Sequence, residues 1–385
     1  MSRSVVFIGA LIVVLSTGGA SGAAAQSPVT PAEVLTCELL GVTERYRTPI
    51  KSAEVLSLSD EMREFLRDRV NPGATDVFKL QQLIDAVMGT ESFELEYDEN
   101  TRTASETFRL RLGNCLSFTT LFVTLARGVG LKADFQEVDI PPDWSTRKDI
   151  FVLNQHVNVR IYLGAAGTQV VDFNIGDFQT TYKLNEISDK RAIAHFFNNI
   201  GVERMQDGDA VEAAAYFRQA ITESNGKFPP PWTNLGTLYR RHRHFAHAEA
   251  AYLEALRVDK RDAVAMSNLV SLYETMGDPE KAEIYQKKVD DHRMQNPYLR
   301  FSLAEEAYDN GEYDTAIEHL KHAIRRDRDE DKFFFLLGLS YLMKGAEKAA
   351  RRWTSKAERM AETDEVKSRY STEFEALIAA SKNPR

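Results

Sequence analysis

Three residues of this chain have the types that nucleophilic chemistry needs: Cys115 in GNCLSFTTLF, His156 in LNQHVNVRIYL and Asp172 in TQVVDFN. A thiol attacks as its thiolate, so it requires a base within hydrogen-bond reach and a third group that orients the base. Gly113 permits a backbone turn, Asn114 is a preferred helix N-cap, and Leu116, Leu121, Phe122 and Leu125 form a helical stripe ending at Gly128. Cys115 then falls at the first helical position. Unpaired N–H groups and the helix dipole at that place stabilise a thiolate, and the same donors can hold the oxyanion of a tetrahedral intermediate.

Of the eight histidines only His156 lies in the first half of the chain, on a strand face shared with Asn158, Arg160 and Tyr162. Whether Asp172 reaches it depends on the turn between their strands. A three-residue connection, Gly164 to Ala166, pairs Leu163 with Gly167 and sets Asp172 one diagonal step from His156. A four-residue turn sends Asp172 to the opposite face. Both registers are open to the sequence, and a lone buried cysteine acting as a small hydrophobe is the plain alternative for Cys115.

The surrounding elements are mixed. Residues 31–46, 59–70 and 76–88 have helical apolar spacing, whereas 132–138, 153–163 and 168–173 alternate as strands do, which defines an α+β unit. Thr103-Ala104-Ser105-Glu106 is a capping box that opens a short helix over Glu106 to Arg111. The text FELEYDENTRTASETFRLRLGNCLSFTTLFVTLARGVGLKADFQEV, within Phe93 to Asn174, resembles the transglutaminase-like superfamily of papain-type thiol enzymes. The resemblance implies a papain-like fold with Cys115 as nucleophile, His156 as base and Asp172 as orienting carboxylate. Leu116 stands where the animal enzymes often carry an aromatic residue, which argues against an aromatic-lined acyl-donor tunnel. Trp144, in the stiff loop VDIPPDWS, is a candidate to border substrate, its alternative being a packed surface aromatic. One Cys, one His and one Asp make a poor metal set, and neither a metal nor another cofactor is expected.

From about residue 191 the chain repeats. Leu235, Leu269, Leu303 and Leu337 recur every 34 residues, as do Ala248, Ala282, Ala316 and Ala350, and Gly201, Ala213, Phe217 and Ala220 form an earlier copy. Trp232, Leu235, Gly236, Tyr239, Ala248, Tyr252 and Ala255 carry the fullest version of a pattern that resembles the tetratricopeptide repeat. That resemblance implies an all-α solenoid of five repeats over 191–362, a polar-faced capping helix within 363–385, and a groove for a protein or peptide partner. His242 and His244 read as a solvated basic turn, Phe333 to Phe335 as core of the fifth repeat, and Arg325 to Asp331 as a wet loop.

The first residues resemble an export signal: Arg3, the apolar run Val5 to Leu15, and Ala23 to Ala25 before Gln26, with cleavage expected after Ala25. Domains are therefore expected at 1–25, 26–190, 191–362 and 363–385. Eleven apolar residues do not span a bilayer, so the mature chain is expected in a periplasm or outside the cell without stable membrane insertion. An oxidising compartment leaves a Cys37–Cys115 disulfide open. The net charge of −9 supplies no basic field, which argues against nucleic acid as a partner. The sequence leaves oligomeric state open. The expected function is an exported cysteine enzyme acting on amide or peptide bonds, hydrolysis before transamidation, with an inactive scaffold that binds proteins through its repeats as the alternative.

Overall fold

A computed structural model describes residues 28–89, 93–139, 146–147, 150–151, 156–173, 183–361 and 363–382. The expected signal segment with its cleavage point at Ala25, and Trp144, lie outside the described residues.

The second half is a stack of helical hairpins: Asp189–Gln206 with Ala210–Glu223, Pro229–Arg241 with Phe245–Val258, Ala263–Met276 with Pro279–Arg293, Pro297–Asp309 with Tyr313–Arg326, and Asp331–Met343 with Glu347–Met360. Small residues set the interhelical distance. A Cβ at Gly201 would lie 2.6 Å from the Phe217 ring, and one at Gly236 would lie 2.7 Å from the ring of Tyr252. The alanine column Ala213, Ala248, Ala282, Ala316 and Ala350 is buried throughout, as the close-packing argument requires. Phe333, Phe334 and Phe335 are core residues, and His242 and His244 flank the turn between two paired helices. A last helix, Asp364–Lys382, lays Tyr370, Phe374 and Ile378 over the final hairpin and closes the stack.

The first half packs short helices against an antiparallel sheet whose four strands run, in space, Thr168–Val171, His156–Tyr162, Lys132–Asp139 and Lys183–Ile187. The last of these was not foreseen; it is an edge strand only five residues long. One face of the sheet is apolar, with Ala133, Phe135, Val157, Val159, Ile161 and Val171 in one core with the helix Cys115–Gly128. The same core takes in Ala192, Phe196, Phe197, Tyr216, Ala220 and Phe228 from the repeat half, so the two halves are packed together.

Two local expectations change. The helix begun by the capping box spans Ala104–Leu110, because Thr103 is its N-cap and Glu106 the third helical residue. The helical run expected over 31–46 breaks into Pro31–Thr36 and a single 3-10 turn, Glu38–Leu40, because Cys37 and Gly41 adopt left-handed backbone at φ 56° and 86°. That segment joins the repeat core through Val34, Cys37, Leu40 and Val42, and the Tyr239 hydroxyl donates to the carbonyl of Val34 at 2.7 Å.

Candidate active site

Asn114 begins the site. Its extended backbone precedes the helix Cys115–Gly128, and its Oδ1 accepts from the backbone N–H of Ser117 at 3.0 Å and from the Ser117 hydroxyl at 3.0 Å. Its own amide nitrogen donates to Thr101 Oγ1 at 2.8 Å. With the Ser117 N–H taken by the cap and that of Phe118 by the Asn114 carbonyl, the N–H groups of Cys115 and Leu116 have no partner among the described residues. Gly113 is needed for space and not for an unusual turn. A Cβ there would come within 2.6 Å of the Ser117 Cβ.

The segment before Gly113 is fixed from outside. Residues Glu96–Tyr97 pair in parallel with Leu112–Gly113, and the Asp98 N–H donates to the Gly113 carbonyl at 3.0 Å. Arg102 clasps Asp98 at 2.6 Å, and this hydrogen-bonded ion pair holds the Asp98 carboxyl down at about 2. The Arg102 N–H reaches Ser117 Oγ at 2.9 Å. These contacts form a buttress under the cysteine turn that spacing alone did not reveal; the cluster DENTR, with its turn-forming Asp98 and Asn100, was the available signal.

The histidine strand meets the cysteine helix through the Thr119 hydroxyl, which donates to the Val157 carbonyl at 2.9 Å. The hairpin beyond it has the three-residue connection Gly164–Ala166, and Tyr162↔Thr168 through Val159↔Val171 set the register. Asp172 consequently stands on the face of His156. His156 Nε2 lies 2.7 and 2.8 Å from the two carboxylate oxygens of Asp172, so the ring donates its Nε2–H to that acceptor. The remaining nitrogen, Nδ1, is the one free to face the sulfur.

Cys115 stands beside His156, close enough for the sulfur to act on the protonation of the ring. Burial by itself would lower the His156 pKa, but hydrogen bonds and charge from Asp172 and Cys115 outweigh it and raise the imidazole to about 9. His156 and Asp172 are nearly covered, at 11% and 8% side-chain exposure, while Cys115 is half-buried and accessible. Both cysteines are free, and Cys37 is sealed in the repeat core with its thiol near the carbonyls of Val34 and Ala214. Burial pushes the Cys37 thiol up to about 11, whereas Cys115 sits at a helix start beside an imidazole. Among the described residues no group of three or more His, Cys, Asp or Glu is arranged to hold a metal ion.

Comparison with known proteins places these parts. A family model described as transglutaminase-like superfamily matches residues 63–173, a span that contains Cys115, His156 and Asp172. A tetratricopeptide repeat model matches residues 233–297 and 301–365. No curated protein matches the chain. Among solved structures the chain is similar to the crystal structure of MamA protein, at 19% identity over 46% of this chain and 94% of that one, with a TM-score of 0.25. It is also similar to the crystal structure of YrrB, described as a TPR protein with an unusual peptide-binding site, at 16% identity over 46% of this chain and 92% of that one, TM-score 0.25. The chain carries a transglutaminase-like superfamily domain followed by tetratricopeptide repeats.

Proposed function

We propose that the protein is an exported cysteine enzyme of the acyl-transfer class, acting on a carboxamide or peptide bond, with the repeat array recruiting a protein substrate or partner. The observation that carries this reading is the line of three groups: a half-buried thiol, an imidazole beside it, and a carboxylate 2.7 Å from the far ring nitrogen.

The steps follow from that line. Cys115 transfers its proton to His156, and the resulting imidazolium is stabilised by Asp172. The thiolate attacks the carbonyl carbon; a C–S bond forms, and the oxyanion is met by the Cys115 backbone N–H. His156 gives its proton to the departing nitrogen, the C–N bond breaks, and a thioester remains. Water then attacks with His156 as base, the C–S bond breaks, and acid and thiol are released. An amine in place of water would give transamidation, but hydrolysis needs no second binding site and is the preferred outcome. The repeats supply a surface suited to an extended peptide or protein segment, and the expected export signal places the chemistry in a periplasm or outside the cell.

The test is an electrophilic thiol probe on the folded, reduced protein, with the labelled residue located by mass. Cys115 is expected to react at least about tenfold faster than a free thiol at pH 6, and His156→Ala to abolish that excess. Labelling of Cys115 no faster than a free thiol would falsify the enzyme reading and leave a binding scaffold.

A further inference from the structure

The His156 face of the sheet carries a row of polar side chains. Asn158 stands two residues after His156, its Cα partner on the neighbouring strand is Gln136, and the partner of Gln136 on the next is Glu186. Asn158 is 0% exposed, and its Nδ2 donates to Asp172 Oδ2 at 3.0 Å. Its other end is different. Among the described residues, Asn158 Oδ1 is buried without a hydrogen-bond partner, and so is Gln136 Oε1.

A buried amide kept for structure normally satisfies both its ends, because an orphaned carbonyl carries a desolvation cost that an apolar side chain of the same size avoids. Asn158 satisfies only its donor end, and the acceptor of that bond is the carboxylate that faces His156. The Asn158 amide gives the carboxylate a donor besides the imidazole, which restrains its turning about the Cβ–Cγ bond. With Asn158 in place, Oδ2 is shared between the amide and the ring, and both oxygens stay in front of Nε2.

We infer that Asn158 is a positioning residue that fixes the Asp172 carboxylate against His156, retained at a cost to fold stability. The inference rests on the thiolate–imidazolium reading above. The groups acting on His156 are Asp172 from the adjoining strand and Cys115 from the helix, with Tyr97 beside Cys115.

The experiment measures the second-order rate of iodoacetamide reaction at Cys115 from pH 4.5 to 9.5, with the site read by mass, alongside thermal melting. In wild type the rate is expected to remain well above that of a free thiol at acid pH. Asn158→Leu keeps the volume and removes the donor. It is expected to melt no lower than wild type while the acid limb of the profile moves up by about half a pH unit or more, a loss of about threefold or more in rate at pH 5.5. Asn158→Thr is the second variant: its β-branched side chain suits a strand, it removes the amide donor, and it is expected to move the limb the same way. A wild-type profile in whichever variant folds overturns the inference and leaves the triad standing. A wild-type protein that itself follows the free-thiol profile removes both.

Discussion

The proposed chemistry rests on how two side chains share protons. The imidazole of His156 is raised from its ordinary value to about 9, and the sign of the consequence is fixed by that direction. The stability it contributes is fully present below the unfolded value near 6.5 and is lost as pH rises through about 9. The excess reactivity proposed for Cys115 would depend on the same proton. The ratio of its alkylation rate to that of a free thiol is expected to be largest at acid pH and to shrink towards unity above about 9; a ratio that is constant from pH 5 to 10 would show that the ring does not govern the sulfur. These residues were legible in the sequence because a strand has a period of two. Once the connection Gly164–Ala166 is three residues long, the face of Asp172 follows from counting, and only the choice of turn needed coordinates. Asn158 was legible as a neighbour on that face, but its bond to Asp172 was not, since a shared face does not say which polar atoms meet.

The elements were legible to the degree that their signals were local. The cysteine helix is capped by Asn114 and runs to Gly128 as its apolar stripe implies, and the repeat helices follow their 34-residue period. Segments whose form depends on distant contacts were not: the strand Lys183–Ile187 exists through its pairing with Lys132–Asp139, and the 31–46 run is divided where Cys37 turns left-handed and enters the repeat core. Gly113 shows the distinction within one residue, since sequence suggested a turn and packing supplies the reason for glycine. Gly113→Ala sets a methyl against the Ser117 Cβ at 2.6 Å, in a helix start held on both sides by Asn114 and Arg102. Overpacking of this kind costs about 1–3 kcal/mol. The variant is expected to melt lower and to label Cys115 more slowly, because the first helical turn must shift. Unchanged melting together with unchanged labelling would mean that the turn yields freely.

The repeats do more than follow the transglutaminase-like domain along the chain. Their first helix, Asp189–Gln206, is bonded to that domain at both ends of its length: Arg127 makes a two-pronged contact with Asp189 at 2.7 and 2.8 Å, and Glu203 accepts from the Thr101 N–H at 2.8 Å. Between them Glu137 binds both His195 and Arg191, which outweigh the effect of burial and hold its carboxyl down at about 2. The Glu203 contact has the shorter route to the candidate site, because Thr101 also accepts the amide of Asn114, the residue that caps the cysteine helix. Burial raises the Glu203 carboxyl, so its hold on Thr101 is made at some electrostatic cost. Glu203→Ala leaves the Thr101 N–H without its acceptor and is expected to cost about 1–3 kcal/mol in melting experiments. It is also expected to slow Cys115 labelling severalfold as the cap loosens. Glu203→Gln keeps a carbonyl oxygen for the N–H and removes the buried charge, so it is expected to melt at or above wild type and to label at nearly the wild-type rate. Slow labelling in both variants would assign the effect to the charge, and wild-type labelling in Glu203→Ala would show that the first repeat helix supports the domain without positioning its sulfur.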